Sequence, residues 1–391
     1  MLDGLPQAKP DGILALMAAF RDDPRSDKID LGVGVYRDAR GRTPVMRAVK
    51  AAERVLLETQ DTKTYTGLPG DPAFARALAG LVMGADADLD GLAMAAAPGG
   101  TGAVHQALQL VRMGNAGATV WLPDPTWPNH PAIAGHVGLE RRSYRYLDPA
   151  AQAVDLEGML RDLGRTKAGD VVVLHGCCHN PTGADPRPGD WARIADALAA
   201  TGAVPLIDLA YLGLGDGLDR DAAGLRTVLD AVPEGMVAVS CSKNFGLYRE
   251  RAGLLIVRGG DRARVQGAVE ALNRLTYSFP PDHGARVVQT VLDDPALRAE
   301  WEGELAEMRG GIAVLRQRLR DDMRDLTGSD RFGFVAAQKG MFSRLDASPE
   351  QVAALRDEHG VYVVGDGRMN LAGLDAGTVP ILARALVAVG L

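Results

Sequence analysis

Met236-Val-Ala-Val-Ser240-Cys241-Ser242-Lys243 sets four apolar residues directly ahead of four small or polar ones that end in a lysine. The apolar half reads as a short buried strand. A lysine just beyond such a strand is unusual, because most lysines sit on solvated faces. An amine held out of water is disposed to its neutral form, which attacks a carbonyl to give an imine. Ser240, Ser242 and Arg251 add donors and positive charge suited to a phosphate. The bland alternative is a surface loop with an ordinary lysine. The density of small polar residues around Lys243 makes it the weaker reading.

The same pattern repeats outward from this point. Thr119–Leu122, Asp170–Leu174 (DVVVL) and Val204–Ile207 (VPLI) come before it, and Leu254–Val257 (LLIV) after it. Helix-like stretches such as Trp191–Ala200 lie between. Continuously apolar strands alternating with helices argue an α/β fold with a mostly parallel sheet covered on both faces. Polar residues gather directly after the runs: Asp124 and Trp127, then Asn180, then Asp208 and Tyr211, then Ser240, Ser242 and Lys243. Ligands of open α/β sheets bind beyond the carboxyl ends of the strands, so four strand ends aim chemistry at one place.

The bulk properties narrow the partners. The 391 residues are 47% hydrophobic and 24% charged, ordinary for a globular chain, and their formal net charge is -7. A nucleic-acid footprint needs a basic excess, which is missing, so an anionic small substrate must be captured by a few placed arginines. No apolar run approaches the ~18 residues of a membrane span. The N-terminus lacks the basic start of a signal peptide. Three cysteines, Cys177, Cys178 and Cys241, imply no disulfide framework. The expectation is a soluble cytoplasmic protein.

The length exceeds what one core usually supports. Residues 41–299 are expected to form a large domain, and 1–40 with 300–391 a smaller one. Asp11 can cap a helix carrying Ile13, Leu14, Leu16, Met17 and Phe20. Leu297–Met323 reads as a long amphipathic helix, and Phe332–Leu345 with Val361–Val364 as a strand–turn–strand pattern.

Four further constellations carry candidate chemistry. Pro98-Gly-Gly100-Thr101-Gly-Ala103 precedes a helical run, Val104–Met113. Glycines there let backbone N–H groups approach a phosphate, although a tight turn with a capped helix reads as well. Asp208 is costly to bury without a cationic partner. A protonated ring nitrogen is one such partner, and a helix cap or structural ion pair fits about as well. His175-Gly-Cys-Cys-His-Asn-Pro-Thr-Gly183 resembles a metal cluster superficially. The helical context and a second cluster are missing, so no metal is expected and the two cysteines read as small apolar packing. Trp127 offers a flat face to an aromatic ring or joins the core, and His130 orients Asp208 or caps a helix.

Taken in order, PGGTGA (98–103), DPTWPNH (124–130), HGCCHNPTG (175–183), IDLAYLG (207–213), SCSKNFGLYRER (240–251) and TYSFPP (276–281) resemble the motifs of class I aminotransferases of the aspartate and aromatic type. The likeness runs from Leu31-Gly-Val-Gly34-Val-Tyr-Arg-Asp38 to Gly367-Arg368-Met-Asn-Leu-Ala-Gly373 and is strongest to the bacterial aromatic-amino-acid enzymes. The resemblance implies a fold type I transferase with a seven-stranded, mostly parallel sheet in the large domain. It implies pyridoxal phosphate as cofactor and a homodimer whose sites are shared between subunits, with the N-terminal segment touching the partner.

Carried over, Lys243 is the Schiff-base lysine and proton shuttle. Asp208 pairs with the pyridine nitrogen, supported by His130, and Asn180 and Tyr211 hold the phenolic oxygen. Trp127 stacks on the ring. Gly100, Thr101, Ser240, Ser242 and Arg251 hold the phosphate, with Tyr65 from the partner subunit. Arg368 grips the substrate α-carboxylate near Gly34. Arg274, also from the partner, meets a distal carboxylate beside Ser278. The reaction implied is ping-pong transfer between amino acids and oxo acids, 2-oxoglutarate among them.

Two arginine forks suit dicarboxylates. Three departures from the aspartate-type pattern point toward aromatic substrates: Cys241 where tyrosine is common, Phe279 where asparagine is common, and small Gly365 before Arg368. The expectation is therefore dual specificity for Tyr, Phe and Trp alongside Asp and Glu. Alternatives are a strict aspartate aminotransferase or another enzyme of the same fold, a lyase or decarboxylase. A non-catalytic regulator lacks room for a DNA-binding domain, and Gly32-Val-Gly34 stops short of a dinucleotide-binding turn.

Overall fold

The computed structural model describes residues 2–5, 7 and 12–391. Its contacts divide the chain into two compact units: residues 44–311 with 338–340, and residues 1–43, 312–337 and 341–391. Asp11, the expected helix cap, lies outside the described residues; the helix itself runs Gly12–Asp22.

The larger unit is organised by a seven-stranded sheet. Its strands are β1 (Ala93–Pro98), β2 (Thr119–Asp124), β3 (Glu140–Arg145), β4 (Val171–His175), β5 (Val204–Leu209), β6 (Gly235–Ser240) and β7 (Ala252–Arg258). They lie in the order β1-β7-β6-β5-β4-β2-β3, and only β7 runs against its neighbours. β4 and β6 are buried along their whole length, as strands covered on both faces must be. On one face the helix Gly99–Gly114 packs Val104, Ala107 and Leu108 into a core with Val120, Val173, Leu206, Ala238 and Leu255.

The parallel strands deliver their carboxyl ends to one edge of the sheet. β4 and β5 pair so that His175 stands opposite Asp208. Just past β6, Trp301 is fully buried and stacks on Phe245 with ring centroids 4.4 Å apart; its indole N–H donates to the Asn244 carbonyl at 2.8 Å. That contact pins the turn following Lys243.

The smaller unit holds two short strand pairs. Ile29–Asp30 runs parallel to Val361–Tyr362, and Phe342–Arg344 runs antiparallel to Arg368–Asn370. Leu31, Leu319, Val335, Leu355, Met369 and Leu382 form its core. Helix Pro349–His359 starts with a Ser348–Gln351 capping box and ends at Gly360 in the left-handed region. One expectation is corrected here: Gly333–Ala337 is a helical turn rather than strand, and the strand begins at Phe342.

Candidate active site

One cavity in the larger unit is lined by Gly100, Thr101, Trp127, Asn180, Asp208, Tyr211, Ser240, Ser242, Lys243 and Arg251, together with His175 and Ala210. It encloses about 510 Å³ of empty space, part of it open to solvent. Each of the strand ends singled out in the sequence contributes to it.

At one end lies an anion cradle. The helix begins at Gly99, earlier than its apolar periodicity suggests, so Gly100 and Thr101 sit in the first turn with its unpaired N–H groups. A Cβ on Gly100 would stand 2.9 Å from the Ser240 Cβ, so only glycine lets the helix start sit this close to β6. Gly99 has φ +68°, and a Cβ there would meet the Arg251 guanidinium at 2.5 Å. Arg251 donates to Ser242 Oγ at 3.3 Å and to the Pro98 carbonyl at 3.4 Å. A helix start, two hydroxyls and a guanidinium converge, which suits a phosphate group.

At the other end Asp208 is buried. Its Oδ2 lies 3.0 Å from His130 Nε2, and Thr126 Oγ1 lies 2.8 Å from His130 Nδ1 and 3.3 Å from His175 Nε2. The Asn180 backbone N–H donates to His175 Nδ1 at 3.4 Å. That donor fixes every proton in the row. His175 must carry its proton on Nε2 and donate to Thr126. Thr126 then donates to His130 Nδ1, and His130 Nε2–H donates to Asp208. Burial, then the neighbouring imidazoles, hold His175 well below the usual histidine range, so it stays neutral. Burial pushes Asp208 up, but the His130 hydrogen bond, and after it the electrostatic pull of the groups around it with Lys243 among them, outweighs burial, and the carboxyl ends below its ordinary value.

Between the two ends, Lys243 Nζ stands 5.0 Å from the centre of the Tyr211 ring. Asn180 Nδ2 donates to the Tyr211 hydroxyl at 3.4 Å. Half-buried Trp127 meets His130 edge-on at 5.2 Å. Thr126 and His175 were missed as site residues by sequence reasoning. His175 directly follows the DVVVL run as Asp208 follows VPLI, which is the signal that marks it.

Tyr65, Arg274 and Ser278 belong to the same unit but do not line this cavity. Tyr65 is 81% exposed and stacks on Phe279 at 4.7 Å, and exposed Arg274 reaches Ser278 at 3.5 Å. Gly34 and Arg368 belong to the smaller unit. There Arg368 is buried, lies over the Phe342 ring at 4.7 Å and donates to the Gly32 carbonyl at 2.9 Å. A Cβ on Gly34 would stand 2.9 Å from Phe342 Cζ. Asn370 Nδ2 donates to the Val33 and Val35 carbonyls, both at 2.7 Å, and fixes this turn.

A buried ionised carboxylate, an amine and an anion cradle in one cavity suit an enzyme that handles a phosphorylated cofactor. The family model described as aminotransferase class I and II matches residues 26–386, and the chain belongs to that family: it is an aminotransferase. It is 56% identical to the aromatic-amino-acid aminotransferase of Paracoccus denitrificans, over all of both chains. It is 42% identical to the aspartate aminotransferase of Escherichia coli, again over the whole of both. A solved aromatic-amino-acid aminotransferase from Burkholderia pseudomallei, covalently bound to pyridoxal phosphate, superposes with a TM-score of 0.97 at 37% identity, covering 100% of this chain and 99% of that one. Among the described residues no helix is long and apolar enough to cross a membrane.

Proposed function

We propose that this aminotransferase uses pyridoxal phosphate anchored on Lys243 to transfer the amino group of aromatic and dicarboxylic L-amino acids to 2-oxoglutarate. The observation that carries the reading is the single cavity holding Lys243, Asp208 and Arg251. Its parts fit that cofactor in kind: the Gly100–Ser240–Arg251 cradle takes the phosphate, and ionised Asp208 takes a protonated ring nitrogen. Bound there, the cofactor supplies an electron sink conjugated to the substrate's amino group.

The chain's own residues do the rest. Asp208, held in the acceptor state by His130, keeps a proton at the ring nitrogen. Asn180 and Tyr211 hold the phenolic oxygen, and Trp127 covers the ring. Lys243 yields its place to the amino acid, and its amine then removes the proton from the substrate Cα. Arg368 grips the α-carboxylate next to Gly34. Arg274 beside Ser278, and Tyr65, serve the site of a partner subunit in a homodimer. Exposed Tyr65, Leu275 and Leu57 support such a shared surface. Three buried thiols suit a reducing, cytoplasmic setting.

Dual specificity rests on Phe279 beside an intact Arg274. The Paracoccus and Escherichia relatives are named for aromatic amino acids and for aspartate respectively, which supports both halves. Comparable kcat/KM for phenylalanine and aspartate is the expected result. Brisk turnover of aspartate with negligible turnover of phenylalanine would leave a strict aspartate enzyme. Replacing Lys243→Ala should abolish the visible absorbance of the bound cofactor and lower turnover by about 10⁴-fold. Retained absorbance and turnover would remove Lys243 from its role.

A further inference from the structure

Cys177, Cys178 and Asp221 bring two thiol sulfurs and a carboxylate oxygen within 4.8 Å of one another, and all three residues are buried. The sequence argues against a metal at HGCCHNPTG for want of a further ligand. The fold supplies one from the first turn of the helix Leu218–Ala231. The cluster does not line the cavity that holds Lys243.

Asp221 is already oriented. Its Oδ2 accepts from the Gly213 and Gly215 N–H groups at 2.8 and 2.9 Å, and its Oδ1 from the Asp216 N–H at 2.6 Å. With one donor on Oδ1, a lone pair of that oxygen is left for a cation. A separate cavity, lined among others by Gly176, Cys177, Asp185, Arg220, Asp221 and Lys339, opens onto the cluster and gives a small ion a way in.

Two sulfurs and one oxygen select a soft or borderline ion such as Cd²⁺ or Zn²⁺, since Mg²⁺ and Ca²⁺ take all-oxygen shells.

We propose that Cys177, Cys178 and Asp221 form a binding site for a soft divalent cation, with the fourth coordination position facing the adjoining cavity. Binding releases the two thiol protons to solvent, and Asp221 coordinates as a carboxylate. Affinity therefore rises with pH. The cation ties the turn leading into Asn180 to the loop that follows Tyr211. On the reading of those two residues given under Proposed function, it slows transamination.

The test is a titration of the full-length holoenzyme with CdCl₂ in buffer free of thiols and chelators. It follows the ultraviolet charge-transfer band of cadmium thiolate and, in parallel, turnover. A single cation per chain should give the band. Cys177→Ser and Cys178→Ser should each weaken binding strongly, and the double variant should abolish it. Asp221→Asn should weaken it about 10- to 100-fold, while Cys241→Ser leaves it intact. Near-ultraviolet circular dichroism checks that each variant is folded.

Absence of the band, or its persistence in the double cysteine variant, overturns the site. The band needs no turnover, so this failure is distinct from failure of the transamination reading. With the cation bound, turnover should fall several-fold in the wild type and not in the double variant. Unchanged wild-type turnover in the presence of the band overturns the coupling to Asn180 and Tyr211.

Discussion

Asp208 is a buried and Asp185 a half-buried carboxylate of the same unit, and loss of water pushes both toward the neutral form. They end on opposite sides of the ordinary value. Asp208 faces an imidazole N–H, with His175 and Lys243 nearby, and stays ionised. Asp185 accepts backbone N–H groups from Cys178 at 2.7 Å and His179 at 2.9 Å, and has the carboxylate of Asp221 as a neighbour with Lys339 a weaker counterweight; it rises to about 6. The backbone amides pull Asp185 down, but not far enough to offset its loss of water. Nearby groups that carry or share positive charge decide whether it keeps that charge out of water.

Removing the charge at Asp208 tests this difference most severely. Asp208→Asn keeps the shape and loses the ionised acceptor, and kcat/KM should fall about 10³-fold. A loss under about tenfold would show that charge is not what the site requires of this residue.

Asp185 should make its contribution in the opposite pH direction. Its folded value, about 6, lies above the ordinary 3.8, so between the two the folded chain holds a proton that the unfolded chain has lost. The stability this contributes, about 3 kcal/mol at most, is fully present below the unfolded value and is lost as pH rises through the folded one. Between pH 5 and pH 7.5 the loss is about 1.4 kcal/mol. Urea unfolding at those two pH values should show the wild type losing that much relative to Asp185→Asn. Parallel behaviour of the two proteins would place Asp185 on the same side as Asp208.

Thr126→Val makes the smallest and most pointed change. It removes the hydroxyl between His175 and His130 and leaves the carboxylate itself untouched. Freed of its partner on Nδ1, His130 no longer has its donor side fixed toward Asp208, and kcat/KM should drop roughly 10-fold. Activity equal to the wild type would mean that Asp208 needs only the presence of His130 and not its orientation.

Much of this region is legible in the sequence because β4, β5 and β6 are apolar along their length and change character abruptly where they end. Asp208, Ser240 and Lys243 announce themselves by that break. The sheet's two edges do not. β1 is mostly alanine, which has little preference for strands, and β3 is Glu-Arg-Arg-Ser-Tyr-Arg, whose charges suit an edge and hide the strand from any apolar pattern. Phe332–Ala337 carries apolar residues in a run too short to separate strand from helical turn, and tertiary packing of Val335 decides it. Asp185 and Asp221 look like surface acids in sequence. Their placement beside Cys177 and Cys178 depends on the fold. The Arg368 turn is likewise invisible to spacing, because Gly32, Phe342 and Asn370 meet only after folding.

The row from Asn180 to Asp208 ends on a backbone amide, a group that neither gains nor loses a proton in water's ordinary range. That makes it an insulated line. Swings of acidity in the surroundings have no titrating group at its far terminus through which to enter, and the direction of every donor along it is set by the peptide bond. A site built this way keeps its electronic reference fixed, while only the side facing the open cavity is free to vary.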